Sequence, residues 1–207
     1  MEGGGIATDD DLIADDLRSI RSHGWSRDRS DASSYSAGVS DNDSKFLFIS
    51  TGYNIRPMEI QAAIGLAQLP DLPSFIHSRR EIAQRVHDAL AGTNLKVIDG
   101  GYFSQPDKER HSWMLIPIKI TGPNAESRRK EITTELNRQG IETRPVLTGN
   151  FLAQPSVRNI LGYLPHPDVF PVATQVSRTH FLVGAHHDLT EEQISHLTST
   201  LRSLAFS

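Results

Sequence analysis

Residues 51–69 read TGYNIRPMEIQAAIGLAQL, and this stretch decides how the fold is interpreted. A Gly-Tyr-Asn turn leads into Arg56 and Pro57, and Pro57 suits the first turn of a helix, where its missing N–H costs nothing. In the residues that follow, Ile and Ala occupy one helical face while Met and Leu occupy another. A helix that is apolar on more than one face is typical of a buried position. We therefore expect this helix to be buried, or to cross between domains or subunits.

The composition excludes several classes of protein. The 207 residues are 37% hydrophobic and 22% charged with a net charge of −4, which gives no electrostatic reason to expect a nucleic-acid partner. The chain has no cysteine, so disulfides, thiolate metal sites and a cysteine nucleophile are excluded. No run of about 18 apolar residues occurs and the first residues lack a signal-peptide pattern. We expect a cytoplasmic protein that does not span a membrane.

Strand and helix patterns alternate along the chain. The beginning predicts a short strand (GGGIAT), a helix with Leu12, Ile13, Leu17 and Ile20 on its apolar stripe, an exposed loop at 26–45 and a strand (KFLFIS) at 45–50. Later helices are predicted at 74–91, in NAESRRKEITTELNRQG and in LTEEQISHLTSTLRSLAF, and strands in LKVID, SWMLIPIKI, GIETRPV and THFLVGA. This alternation predicts a layered α/β or α+β domain.

Several stretches together resemble one enzyme family. The turn and helix at 51–69, the following FIHSRREIAQRVHDAL, and the segment EGGGIATDDDLIADDLRSIRSHG resemble the DegT/DnrJ/EryC1/StrS family of sugar aminotransferases. The segments IETRPVLTGNFLAQPSVRN and DLTEEQISHL resemble its C-terminal domain, and the tail is most similar to the 3-dehydrase branch acting on CDP- and GDP-4-keto-6-deoxysugars. The resemblance implies the α/β fold of type I pyridoxal-phosphate (PLP) enzymes.

The resemblance also implies a domain plan and a missing catalytic group. Residues 1–50 correspond to the end of the large PLP-binding domain, 51–92 to connecting helices, and 93–207 to a small C-terminal α+β domain. The family's Schiff-base lysine lies a few residues before the EGG at 2–4, so we expect a C-terminal half with no catalytic residue of its own. The five lysines match no Schiff-base motif; they are Lys45, Lys96, Lys108, Lys119 and Lys130.

Two candidate binding residues lie in the opening turn. In the family, the asparagine of this turn reaches across a dimer interface to the phosphate of the partner's PLP, and Asn54 occupies that position. Considered from the residues alone, Asn54 has the alternative role of a left-handed turn residue that caps the helix. Arg56 is a candidate for a substrate phosphate or an interface carboxylate, against the alternative of a surface or structural arginine.

Two further candidates lie in the C-terminal part. Arg144 follows a predicted strand and suits the pyrophosphate of a nucleotide sugar, although a salt bridge to Glu142 or to a neighbouring helix explains it at least as well. Adjacent histidines in a strand point to opposite faces, and no third ligand is evident beside His186 and His187. We therefore expect His187 to line the sugar pocket and neither histidine to bind a metal. His23 and Trp25 are expected to be packing residues.

The implied function has three versions. The first is an aminotransferase acting on a nucleotide-linked 4-keto-6-deoxysugar in polysaccharide or lipopolysaccharide biosynthesis, as a homodimer. The second is a PLP-dependent 3-dehydrase of the same family, which the tail favours. The third is a non-catalytic subunit that docks on an intact homologue and supplies Asn54 to its site.

Overall fold

A computed structural model describes residues 3–104, 111–163 and 165–205, so Lys108 lies outside the described residues. The chain divides into two compact units, the first ending at Pro70 and the second beginning at Asp71. The predicted plan of 1–50, 51–92 and 93–207 refers to a parent enzyme and stays a prediction.

The first unit is helical, with irregular segments between its helices. The helices are α1 (Asp11–Ile20), α2 (Ala32–Tyr35), α3 (Asp41–Ser44) and α4 (Glu59–Gln68). The strands predicted in GGGIAT and KFLFIS are wrong for the described residues, where 3–8 carry no strand and Phe48 forms one isolated bridge with Trp25. A strand requires a continuous hydrogen-bonded partner, and the described part of this unit offers only isolated bridges.

Helix α1 exposes much of its predicted apolar stripe. Asp10 caps its N-terminus by accepting hydrogen bonds from the backbone N–H groups of Leu12 and Ile13. Leu12 is 70% exposed, whereas the buried residues of the helix are Asp15 and Ser19. The polar loop after the helix covers the other side, where Ser30 donates hydrogen bonds to the Asp15 carboxylate.

The apolar helix of the opening stretch is α4, and it contains no buried residue. Ile60 is 58% and Leu66 69% exposed. The helix begins at Glu59, and Met58 N–H donates to the Gln61 side chain at 2.9 Å, so Pro57 precedes the helix instead of entering its first turn. The pattern identified an apolar surface correctly, but burial requires a second surface that the described residues do not provide.

The second unit is built on a four-stranded antiparallel sheet. Its strands are β1 (Leu95–Val97), β2 (Leu115–Ile120), β3 (Thr143–Arg144) and β4 (His180–Gly184), in the order β1-β2-β4-β3. Alternation along β2 buries Ile116, Ile118 and Ile120. The register places Ile118 opposite Phe181, so the two central strands share one apolar core.

Helices complete this core. They are α5 (Leu72–Ala89), α6 (Ala125–Arg138), α7 (Pro155–Leu161), α8 (Pro171–Thr179) and α9 (Glu191–Ala205). Residues of α5, α6 and α9 form one buried cluster with the sheet. The sequence predicted these three helices but not α7 and α8, whose first residues are prolines. No helix in the described part of the chain is long and apolar enough to cross a membrane.

Candidate functional site

The opening turn is fixed by backbone hydrogen bonds to the residues that follow α1. Tyr53 N–H donates to the Ile20 carbonyl at 2.6 Å, and the His23 N–H donates to the Tyr53 carbonyl at 2.8 Å. Asn54 forms an antiparallel bridge with Ser22. These two segments, which are distant in sequence, therefore hold each other in one conformation.

Two glycines allow this close approach. Gly24 has a φ of +88°, which disfavours any other residue, and a Cβ there would collide with the Ser50 carbonyl group. A Cβ on Gly52 would lie 2.6 Å from the His23 carbonyl carbon and 2.7 Å from the Ile20 carbonyl oxygen. The glycine of the Gly-Tyr-Asn motif is thus required by backbone packing.

Asn54 presents an unused polar group on this fixed turn. Its side chain is exposed and makes no hydrogen bond within the described part of the chain. Asn54 is absent from the residues with positive φ, and the helix cap is Met58, so the alternative of a left-handed, helix-capping asparagine is wrong. The amide N–H₂ is free to donate to an external acceptor, which suits a phosphate oxygen without adding charge.

Arg56 lies beside Trp25, together with a second arginine. The guanidinium carbon of Arg27 is 3.9 Å from the centroid of the Trp25 ring, and that of Arg56 is 5.4 Å from it. Arg27 reaches Asp28 only at 3.9 Å, and no carboxylate of the described residues forms an ion pair with Arg56. The structure therefore places two exposed cations at one indole ring, which the sequence did not indicate.

Trp25 itself belongs to a small aromatic group. Its ring centroid is 5.2 Å from that of His23, 6.0 Å from that of Phe46 and 5.8 Å from that of Phe48. The packing role expected for Trp25 describes these contacts but omits the arginines. Its partner Arg56 is distant in sequence, so local patterns carried no signal for the pair.

A third arginine anchors the polar loop after α1. The guanidinium of Arg29 is buried, donates to Asp16 at 2.5 Å and pairs with Asp31 at 2.7 Å. The hydrogen bond from Arg29 holds the pKa of Asp31 below its usual value. The expectation of a simple exposed loop at 26–45 is therefore incomplete, because Arg29 and Ser26 are buried.

Asp15 holds the same loop from the helix side. Its carboxylate accepts hydrogen bonds from the Ser30 hydroxyl at 2.5 Å and from the Ser30 backbone N–H at 3.0 Å. These hydrogen bonds from Ser30 lower the pKa of Asp15 to about 2. The loop that carries Trp25 and Arg27 is thus attached to α1 at two points.

Arg144 forms the ion pair with Glu142 that the sequence analysis gave as the alternative to substrate binding. Its Nε donates to Glu142 at 2.9 Å, and both side chains are largely exposed. An exposed pair of this kind contributes about 0–1 kcal/mol, so the pair alone gives little reason for an arginine at this position. A role of Arg144 in substrate binding stays a prediction.

His187 lies after the sheet, not within it. Strand β4 ends at Gly184, and the rings of His186 and His187 stack at 4.4 Å with 24° between their planes. The argument that the two rings point to opposite faces is therefore wrong, because it assumed a strand. His187 also stacks on Phe75 at 3.8 Å, and its buried Nδ1 has no partner among the described residues.

Asp188 supplies the third potential metal ligand that the sequence interpretation overlooked. Ligand atoms of His186, His187 and Asp188 lie within 4.8 Å of one another. A metal ion binds in the plane of each imidazole ring, whereas these two rings are nearly parallel and stacked. The arrangement as it stands does not suit a common metal ion. A cavity of about 210 Å³ beside this turn is lined by His186 and His196.

Comparisons with known proteins decide the family. The sequence profile of the DegT/DnrJ/EryC1/StrS aminotransferase family matches residues 1–202. The chain belongs to this family. The resemblance inferred from the opening turn is thereby confirmed.

Two relatives show which enzymes of the family the chain resembles in sequence. The chain is 35% identical over 205 residues to a GDP-4-keto-6-deoxy-D-mannose 3-dehydratase of Escherichia coli O55:H7, covering 98% of this chain and 50% of that protein. It is 28% identical over 148 residues to a GDP-perosamine synthase of Caulobacter vibrioides, covering 70% of this chain and 34% of that protein. The chain thus spans about half the length of the first of these relatives and about a third of the length of the second.

A solved structure confirms the fold. The E. coli GDP-4-keto-6-deoxy-D-mannose 3-dehydratase with bound hydrated PLP superposes with a TM-score of 0.75 at 32% identity. The match covers 94% of this chain and 48% of that one. The expected α/β fold of PLP-dependent sugar enzymes is therefore confirmed for this part of the fold.

Proposed function

We propose that this chain forms the C-terminal portion of a PLP-dependent enzyme acting on a GDP-linked 4-keto-6-deoxysugar. The single observation that carries the proposal is the fixed turn that exposes Asn54, in a chain 35% identical to a GDP-4-keto-6-deoxy-D-mannose 3-dehydratase. Removal of the oxygen at sugar carbon 3 is the reaction favoured by that relative. Amino transfer is the second candidate, favoured by the similarity to a GDP-perosamine synthase.

In this proposal Asn54 donates a hydrogen bond to the cofactor phosphate. The residues fit that role, because the amide has no partner among the described residues and the backbone is held by the bridge to Ser22. When bound, PLP supplies an electron sink for chemistry at the sugar carbons. The contribution of Asn54 is to orient the phosphate without changing the charge of the site.

The other predicted residues bind substrate in the proposal. Arg56 and Arg144 meet phosphate oxygens, for which a guanidinium is a planar, two-pronged donor. His187 lines the sugar side, where stacking on Phe75 fixes its ring and leaves Nδ1 without a partner among the described residues.

We further propose a cytoplasmic homodimer in which Asn54 serves the cofactor of the second subunit. The exposed apolar side chains of α4 support this assembly, because contiguous apolar surface marks interaction sites. In this assembly the large PLP-binding domain ends with residues 1–50. Residues 51–92 form the helices that connect it to the small domain, which consists of residues 93–207.

The test is a product assay on the full protein that is translated from the gene encoding this chain. The protein is incubated with PLP, glutamate and GDP-4-keto-6-deoxymannose, and the nucleotide sugars are followed by mass spectrometry. A product lacking the carbon-3 oxygen supports dehydration, and a product with an amino group in place of the keto oxygen supports amino transfer. Unchanged substrate, with cofactor and protein both intact, contradicts the proposal.

A further inference from the structure

We infer that Trp25, Arg27 and Arg56 form a binding site for the diphosphate of the nucleotide-linked substrate. This inference rests on the proposed function and extends it by assigning Trp25 and Arg27, which no resemblance implied. The geometry that points to it is one indole ring with guanidinium carbons 3.9 and 5.4 Å from its centroid.

The two cations lack strong internal partners. Arg27 is 3.9 Å from an exposed Asp28, beyond hydrogen-bonding distance, and Arg56 has no ion pair among the described residues. Arg29, in the same loop, differs because it is buried and binds two carboxylates. In this loop Arg29 therefore stabilises the fold, whereas the N–H donors of Arg27 remain available to a ligand.

The indole ring explains how two like charges are held together. Each guanidinium gains a modest attraction from the ring face, while the positive charges repel each other. A bound diphosphate removes that repulsion and accepts hydrogen bonds from both arginines. The rings of Phe46 and Phe48 contact that of Trp25 and hold the indole in place beside the two arginines.

The backbone keeps these residues in a fixed relation to Asn54. Trp25 pairs with Phe48 and Ser22 pairs with Asn54, so the same two segments carry Asn54 and the three side chains of this site. Ile49 N–H donates to the Gly24 carbonyl at 2.9 Å and Ser26 N–H to the Leu47 carbonyl at 3.0 Å. A site held in this way is organised before any ligand arrives.

The experiment measures binding of GDP, inorganic pyrophosphate and guanosine to the 207-residue chain by calorimetry and by tryptophan fluorescence. Trp113 is buried in the second unit, so a change in fluorescence from a more exposed indole reports on Trp25. We expect GDP and pyrophosphate to bind and to change the emission, and guanosine to bind far more weakly.

Arg27→Gln and Arg56→Gln are each expected to weaken GDP binding about tenfold or more, since each removes a charged hydrogen-bond donor. Arg27→Lys and Arg56→Lys keep the charge and should lose less. The matched control is Arg21→Gln, which removes an exposed arginine that lies over no aromatic ring of the described residues. Near-ultraviolet circular dichroism establishes that each variant keeps its fold.

Equal GDP affinity in the native chain, Arg27→Gln and Arg56→Gln overturns the inference, and so does the absence of any GDP or pyrophosphate binding to the native chain. Either result leaves the proposed function to its own product assay, because a diphosphate bound elsewhere still permits turnover. If the product assay shows no turnover but GDP still binds in a manner that depends on the two arginines, the proposed reaction is contradicted and the diphosphate site is supported.

Discussion

Gly52 packs directly against Gly24, backbone to backbone, with no room between them for a side chain. Gly24 also closes the end of α1, because its N–H donates to the Ser19 carbonyl at 2.9 Å. Their contact joins the Gly-Tyr-Asn turn to the segment after α1 and thereby positions Asn54, Arg56 and Trp25.

Gly52→Ala should destabilise the first unit by about 1–3 kcal/mol, because the added methyl group overlaps backbone atoms that have no flexible end to move. Thermal unfolding followed by Trp25 fluorescence measures the change. Gly65→Ala is the control, since nothing lies within 4 Å of a Cβ there and alanine favours a helix. If both variants melt alike, the packing argument is wrong.

Arg29→Met should destabilise the loop after α1 by about 1.5–3 kcal/mol, because it removes charged hydrogen bonds to Asp16 and Asp31. The exposure of the two carboxylates favours the lower end of this range. Limited proteolysis and urea unfolding measure the effect against Arg21→Met. Unchanged cleavage within 26–45 would contradict an anchoring role for Arg29.

Stability should fall in acid through Asp15. Its folded pKa of about 2 is below the ordinary value, so the folded state favours the carboxylate over the acid. That stabilisation is complete above the unfolded pKa of about 4 and is lost as the pH falls towards 2. Asp15→Asn should therefore be less stable at pH 7 and show a flatter dependence between pH 4 and 2. If the stability of this variant falls between pH 4 and 2 as steeply as that of the native protein, Asp15 is not the group responsible.

Glu142→Gln should leave stability within about 0.5 kcal/mol of the native value, because the pair with Arg144 is exposed. Arg144→Gln should have an equally small effect on stability but raise KM for the GDP-linked sugar. Urea unfolding and steady-state kinetics together separate the two roles. A KM unchanged by Arg144→Gln would leave the ion pair as the only function of this arginine.

The sequence predicted the strands and the helices α5, α6 and α9 of the second unit, because these elements follow local rules, but it missed α7 and α8. Alternation in β2 and helical spacing in α6 and α9 reflect burial on one side of each element. The errors have a common cause. Leu12 in α1 and Ile60 in α4 carry correct apolar patterns, yet a pattern does not state which surface covers it.

The candidate site was only partly accessible from the sequence. Asn54 was found through the family resemblance, since its exposure and lack of an internal partner are properties of the folded turn. The contact between Arg56 and Trp25 joins residues far apart in sequence, and the stacking of His186 on His187 follows from where β4 ends. Each of these requires tertiary structure.

The most direct test of the account is cofactor retention by Asn54→Ala in the protein from its native gene. PLP released on denaturation is quantified after dialysis and compared with Asn42→Ala, which removes another exposed asparagine of the same unit. We expect Asn54→Ala to lower PLP affinity about tenfold, by loss of a hydrogen bond to a charged group, and Asn42→Ala to retain the native content. Native-like PLP retention by Asn54→Ala would contradict it.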